Sequence, residues 1–278
     1  MSDGDNWVDH AVLEFHSGRP LTLLFDYDGT LAPIVPHPAL AILAPQVRAR
    51  LRRLARAPGV AVGVISGRAL ADVRDMVGID DLYFGGSGGA ELDLCGVTEV
   101  EPIPADAQRQ LTAAVSDLRA ALAGFHGVWL EPKPVGFAVH YRATPEPTAT
   151  AFHAFFSRWH TQFPALRVLD VCKSYEVGLR DGWDKGDAVR RVLAEQPAHT
   201  FAAYFGDSEN DRPAMAAVVA ADGVSVGVGP EAPAGTRYTL PTPARLHTDL
   251  ARLCGALNLF DRGTHSAGGA EATRDHLV

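Results

Sequence analysis

Leu21-Thr22-Leu23-Leu24-Phe25-Asp26-Tyr27-Asp28-Gly29-Thr30-Leu31 is the stretch on which the fold turns. Leu21 to Phe25 reads as a short apolar strand, ended at once by two acids and a chain reversal. In extended backbone, Asp-x-Asp puts both carboxylates on one side, where their repulsion calls for a metal ion or a shared proton. Asp and Gly also form turns, but a turn does not require two acids flanking an aromatic residue after a buried run. Working outward, Ala44 to Ala57 reads as a helix with Val47, Leu51 and Leu54 on one face and arginines on the other, stopped by Pro58-Gly59. Val60 to Ile65 is a second buried strand, ending at Ser66-Gly67-Arg68. Unalternating strands separated by helices indicate a parallel sheet covered on both faces. Ligands of such sheets bind beyond the carboxyl ends of the strands, where Asp26 and Ser66 both lie.

A helix from Ala69 to Val77 and a strand from Asp81 to Phe84 continue this rhythm. It returns after Asp184, with helix Lys185–Glu195, strand Phe201–Phe205, helix Asn210–Val219, strand Gly223–Val228 and helix Pro243–Leu257. Between Glu101 and Arg180 the pattern differs. Helices are expected at Ala105–Ala123 and Pro147–Phe163, and strands at Val128–Glu131, Gly136–Arg142, Arg167–Cys172 and Ser174–Leu179. Short links within the strand pairs imply antiparallel hairpins, so this is an α+β insert with its own sheet. The expected division is a core domain of residues 1–100 and 181–260, a cap domain of 101–180, and a disordered tail of 261–278 rich in Gly, Ala, His and Thr. The fold class is α/β, a Rossmann-like parallel core with an inserted α+β cap.

Composition narrows the function. The 278 residues carry 25 Lys+Arg against 33 Asp+Glu, a formal net charge of -8 that disfavours nucleic acid as a partner. No apolar stretch approaches the ~18–20 residues of a membrane span, and Met1-Ser2-Asp3-Gly4-Asp5 shows no secretory pattern. Cys95, Cys172 and Cys254 lie far apart without a C-x-x-C pair, which fits a reducing compartment and argues against disulfides or a zinc site. A cytoplasmic monomer without nucleic-acid or membrane partners is the expectation.

Gly206-Asp207-Ser208-Glu209-Asn210-Asp211 places three acids within five positions just past the strand Ala203-Tyr204-Phe205. A helix cap accounts for one polar residue there, not for three acids. Hard oxygen ligands from two separate strand ends suit Mg2+. Ser66 alone reads as a cap. Lys185, in the first turn of a helix after Gly182-Trp183-Asp184, opposes the helix dipole, which favours a specific use for it.

These four segments, in this order, resemble the four motifs of the haloacid dehalogenase superfamily of phosphotransferases over roughly Leu21 to Leu257. The resemblance implies that Asp26 is a nucleophile forming an aspartyl-phosphate, and that Asp28 is the acid to the leaving oxygen and then the base for water. It implies that Ser66 and Lys185 hold the phosphoryl oxygens, flanked by Gly67 and Arg68. Mg2+ is then coordinated by Asp26, the Asp28 backbone carbonyl and Asp207, with Asp211 close by. Charge on the equatorial oxygens of a phosphoryl group in flight needs such a clamp. Asp at position 28, where ATP-driven relatives carry Thr, favours a phosphatase.

Asp28 to Ile34, Glu131-Pro132-Lys133, Ala138-Val139-His140-Tyr141-Arg142 and Glu176 to Gly186 are similar to trehalose-6-phosphate phosphatases. That likeness implies a small-molecule sugar phosphate as substrate, with Glu131, Lys133 and Glu176 facing the sugar and His140 and Arg142 either supporting them or pairing within the cap sheet. Their alternation with Val139 and Tyr141 would put His140 and Arg142 on one face. Two departures stand out. The family's Gly-x-His-Gly-like turn is Gly86-Ser87-Gly88-Gly89 here, and its Gly-Asp-Asp-x-Thr-Asp-Glu is Gly206-Asp207-Ser208-Glu209-Asn210-Asp211-Arg212.

Alternatives follow from the same residues. Related caps serve sucrose, glycosylglycerol and glycosylglycerate phosphates, and a phosphomutase shares the two-aspartate motif. Gly85-Gly86-Ser87-Gly88-Gly89 matches a serine-hydrolase elbow formally, but Ala90 to Leu94 alternates like a strand where the elbow needs a helix. A non-catalytic relative is expected to have lost one of Asp26, Asp28, Ser66, Lys185, Asp207 or Asp211, and all are present. Trp129, Trp159 and Trp183 read as amphipathic or hinge positions, with Trp183 near the cap linker.

Overall fold

A computed structural model of the chain describes residues 6–35, 40–171 and 173–259. The tail expected at 261–278 and Cys172 lie outside the described residues; Cys95 and Cys254 are free thiols.

The apolar stretch Leu21–Phe25 is strand β1, buried along its whole length. It sits in the middle of an eight-stranded sheet. Next to it on one side come β2 (Val60–Ile65), β3 (Tyr83–Gly86), β4 (Glu91–Leu94) and β5 (Val97–Val100), and on the other β10 (Phe201–Gly206), β11 (Val224–Val228) and β12 (Tyr238–Leu240). All neighbours are parallel from β12 through to β3. The chain leaves β1 for β2 on one side and arrives at β10 on the other, so the switch in strand order, and the crevice it opens, lies between β1 and β10.

Both faces of β1 are apolar because both are covered. Leu21, Leu23 and Phe25 pack with α1 (Trp7–His16), α2 (Pro45–Ala55), α3 (Leu70–Val77) and α8 (Pro243–Ala256). Leu24 packs the other way, with α6 (Lys185–Ala194) and α7 (Arg212–Ala220). Four such side chains are buried, at about 1.5–3 kcal/mol each, and Thr22, the one polar residue of the strand, pairs with the Thr200 hydroxyl at 3.1 Å.

Several elements depart from the expected pattern, among them the short parallel edge strand β12, which was not expected. β4 and β5 extend the parallel sheet as an antiparallel hairpin. β5 is mostly exposed, so its Val97-Thr98-Glu99-Val100 carries no burial signature. Helix α1 is capped by Asn6, whose side chain accepts from the Val8 and Asp9 amides. It is held by Trp7, which donates to Asp249 at 3.0 Å from 242 residues away in sequence. The helix expected at Asn210–Val219 begins as a single 3-10 turn, Glu209–Asp211, before α7.

The intervening residues form α4 (Ala105–Leu122), β6 (Trp129–Lys133), β7 (Gly136–His140), α5 (Glu146–Trp159), β8 (Leu166–Val171) and β9 (Ser174–Leu179). The four strands make a separate antiparallel sheet in the order β6-β7-β9-β8. One face, with Phe137, Val139 and Val177, packs on α4 and α5 in a cluster of its own. The other face carries Trp129, Glu131, Lys133, His140, Ser174 and Glu176, brought side by side by register. Strand β7 stops at His140, so Arg142 lies in the turn beyond it and not on the strand face expected for it. At the return crossing the Trp183 amide donates to Glu101 at 2.9 Å, and the Arg191 guanidinium lies 3.7 Å from the Trp183 ring centre.

Candidate active site

The floor of the site is built at the carboxyl ends of β1 and β10. Asp26, Asp207 and Asp211 are all buried, and each offers a carboxylate oxygen within 4.8 Å of the others. Gly29 makes this proximity possible. Its φ is +84°, and a Cβ there would run into the Asp207 carboxylate, so the chain reversal after Asp28 has to pass through glycine.

Lys185 reaches into this cluster from α6. Its ammonium donates to Asp26 Oδ1 and to Asp211 Oδ1, both at 2.7 Å. A lysine in the first helical turn is unfavourable to the dipole, and here two carboxylates offset that cost. The helix start is secured separately by Asp184, which accepts from the Gly186 and Asp187 amides while Asp187 accepts from the Asp184 amide.

Asp211 is saturated. One oxygen takes Lys185 and the Tyr204 hydroxyl (2.8 Å), the other takes the amides of Asp207 (3.0 Å) and Ser208 (3.2 Å). A carboxylate has about four acceptor positions, and all four are occupied. Asp211 therefore holds Lys185 and the Asp207 loop in place, which leaves Asp26 and Asp207 as the acids with oxygens to offer.

Three carboxylates against one ammonium leave the pocket short of positive charge. Burial pushes the Asp26 carboxyl well above its usual range against the pull of Lys185, with Asp211 and Asp207 adding to the rise. Asp207 is pushed up to about 7 by burial and by Asp211. Burial disfavours the Lys185 ammonium, but Asp211 and Asp26 outweigh it and raise its pKa. An oxygen-only donor set with surplus negative charge fits a hard divalent cation.

Above the floor, Asp28 is gripped by Arg68, which donates from Nε (2.6 Å) and Nη2 (2.7 Å) to its two carboxylate oxygens. Ser66 is buried at the end of β2, where its Oγ accepts from the Arg68 amide at 3.2 Å. A cleft of about 210 Å³ opens over these groups, bounded by Asp26, Asp28, Ser66, Gly67, Arg68 and Asp207 below. Glu131, Lys133, His140, Arg142 and Glu176 bound it from the second sheet.

The structure brings the sequence-predicted residues to one cleft except Lys185 and Asp211, which are buried beside it and joined to it through Asp26. Lys133 bridges the two sheets, donating to the Gly67 carbonyl at 2.7 Å and to Glu176 at 2.5 Å. Glu131 accepts from His140 Nε2 at 2.7 Å, and that contact holds its carboxyl below the usual range. Seven residues of the lining were not predicted as site residues: Ile34, Val35, Trp129, Ala143, Ser174, Ser208 and Asn210. Trp129 was legible in principle. The two-residue link Pro134-Val135 sets the hairpin register, which pairs Trp129 with His140. Ser87 is absent from this cleft. It donates to Glu91 at 2.5 Å and is followed by strand β4, not by a helix.

A parallel α/β core with acids and a lysine at its switch point, facing an inserted antiparallel sheet, defines the haloacid dehalogenase class of fold. Within that class the chain belongs to the trehalose-phosphatase family, whose model matches residues 24–243. The trehalose-phosphate phosphatase of Mycobacterium tuberculosis H37Rv is 36% identical over 251 residues, covering 86% of this chain and 62% of that protein. A probable trehalose-phosphate phosphatase of Oryza sativa is 27% identical over 253 residues, covering 85% and 66%. The chain spans less than two thirds of the length of the curated relatives it matches first. Among solved structures, the C-terminal domain of a Candida albicans trehalose-6-phosphate phosphatase superposes with a TM-score of 0.77 at 20% identity, covering 91% of this chain and 99% of that one. An Aspergillus fumigatus trehalose-6-phosphate phosphatase gives 0.63 at 24% identity, covering 92% and 100%. Among the described residues no helix is long and apolar enough to cross a membrane.

Proposed function

We propose that this chain hydrolyses trehalose 6-phosphate to trehalose and inorganic phosphate. The observation that carries the reading is the buried Asp26–Lys185–Asp211 bridge beside Asp207, on the floor of a cleft roofed by Glu131, Lys133 and Glu176. Family membership and the names of the relatives support the substrate. Residues 101–180 are read as the cap domain that closes over a core of 1–100 and 181–260.

Asp26 attacks phosphorus in line, the bond from phosphorus to the sugar oxygen breaks, and Asp28 gives that oxygen its proton. Water then attacks the aspartyl-phosphate, Asp28 takes a proton from that water, and the Asp26–phosphorus bond breaks to release phosphate. Lys185 and Ser66 hold the phosphoryl oxygens, and Arg68, which here holds both Asp28 oxygens, gives up one of them when Asp28 carries the proton. Mg2+, held by Asp26, the Asp28 carbonyl and Asp207, would supply positive charge against those oxygens. Glu131, Lys133, His140, Arg142 and Glu176 recognise the sugar from the cap. Free, widely spaced thiols at Cys95 and Cys254 support a cytoplasmic enzyme, and a monomer holds every group the reaction needs.

Phosphate release from trehalose 6-phosphate, sucrose 6-phosphate, glucosylglycerol phosphate, glucosylglycerate phosphate and glucose 6-phosphate, with Mg2+ and with EDTA, tests the reading. A strong Mg2+-dependent preference for trehalose 6-phosphate is expected. Preference for another sugar phosphate overturns the substrate, and phosphate retained on the sugar overturns hydrolysis in favour of a mutase.

A further inference from the structure

Trp129 has a surface that packing does not explain. Trp7 and Trp159 are buried in apolar clusters of the core and of the smaller sheet, and Trp183 lies under Arg191. Trp129 instead keeps 41% of its surface exposed and borders the cleft above Asp26 and Asp28. It is not needed for the cap's core, which is made by Phe137, Val139 and Val177 on the opposite face of the sheet. Yet the indole is held firmly. It stacks on the His140 ring with centroids 4.0 Å apart and planes 20° from parallel, and His140 is bonded in turn to Glu131.

An open aromatic wall does nothing for a phosphate dianion, which is drawn to cations and to N–H donors. It suits a pyranose. A hexose ring presents a face of C–H groups, which gains by covering an indole, and a rim of hydroxyls, which a carboxylate and an imidazole can bind. Trp129, His140 and Glu131 supply that combination within one cross-strand unit, before any substrate arrives. Pre-organisation by stacking lowers the ordering cost of binding.

We infer that Trp129 is a specificity-determining residue that stacks on a hexose ring of the substrate, with His140 as its rear support. This rests on the sugar-phosphate reading above. The test compares wild type, Trp129→Phe and Trp129→Ala on trehalose 6-phosphate and on p-nitrophenyl phosphate, which has no sugar. Trp129→Ala should raise KM for trehalose 6-phosphate about tenfold with kcat changed less than about threefold. The ratio of kcat/KM between the two substrates should fall about tenfold, and Trp129→Phe should stay within about threefold of wild type. In Asp26→Asn protein, trehalose should change tryptophan emission, and the change should vanish when Trp129→Phe is added.

An unchanged KM in Trp129→Ala, an equal loss on both substrates, or an emission change that survives Trp129→Phe overturns the inference. Failure of the function reading looks different: wild type then releases no phosphate from trehalose 6-phosphate. The emission titration, run with trehalose, sucrose and glucosylglycerol, still decides Trp129. A Trp129-dependent change with one of them sustains the stacking, and none with any of them overturns it.

Discussion

The two sheets of this molecule carry their chemistry in opposite ways. Strands β1 and β10 are buried on both faces and carry no charged side chain along their length; Asp26 and Asp207 appear only where those strands end. The smaller sheet is buried on one face only, and its polar groups stand along the strands themselves, on the face turned to the cleft. A doubly covered sheet can place charge only at its ends, because an unpaired charge inside costs several kcal/mol. A half-covered sheet can place it anywhere on the open side. The core therefore suits a fixed reaction centre and the other sheet suits a variable recognition surface.

The comparison breaks first at Asp26. Asp26→Asn should lower kcat by at least about 10⁴-fold while the protein still unfolds cooperatively, measured by phosphate release and thermal denaturation. Substantial residual activity would remove the reaction centre from the end of β1. Chelation is the next largest test. EDTA should abolish turnover, and added Mg2+ should both restore it and raise Tm, as a ligand of the folded state does. A Tm indifferent to Mg2+ would leave the carboxylate cluster without its expected counter-ion.

Lys185→Ala leaves Asp26 and Asp211 buried without their ammonium, so a loss of about 3–5 kcal/mol is expected in denaturant unfolding. Glu131→Ala, by contrast, removes a half-exposed group from the open face. It should raise KM about tenfold with little effect on stability, and a stability loss as large as that of Lys185→Ala would erase the distinction between the sheets.

The smallest effect concerns pH. His140 holds the Glu131 carboxyl below its usual value of 4.5. A depressed carboxylate contributes stability above its unfolded pKa, and the contribution is lost as pH falls through the folded value. The stability difference between wild type and His140→Gln should therefore be no more than about 1 kcal/mol at pH 7 and should shrink below about pH 4. A difference independent of pH would mean that His140 acts through its stacking on Trp129 alone.

Much of the core was legible because its signals are local. A run of apolar residues ending in Asp-x-Asp-Gly contains the strand, the acids and the glycine reversal within nine positions, Leu21 to Gly29. The start of α6 at Lys185 and the acids after β10 read the same way. Elements with a weak local signal were missed: α1, whose Trp7 finds its partners Phe205 and Asp249 only across the fold, the short edge strand β12 and the exposed edge strand β5. In the second sheet, residues such as Glu131 and Glu176 stood out by resemblance, while Trp129, unremarkable by type, needed the hairpin register to place it beside His140.

The sequence by itself determined the alternation of strands and helices, the insert with its own sheet, and the residue types available for phosphoryl transfer. Those depend on periodicity and on short-range chemistry, which a chain carries before it folds. Only the tertiary structure decided which group meets which. Lys185 divides itself between Asp26 and Asp211, partners 159 and 26 residues away. Arg68 clamps Asp28 across 40 residues, and Lys133 reaches the Gly67 carbonyl across 66. Hydrogen bonds and ion pairs act over about 3 Å, so their partners are settled by how the sheets stack and not by distance along the chain.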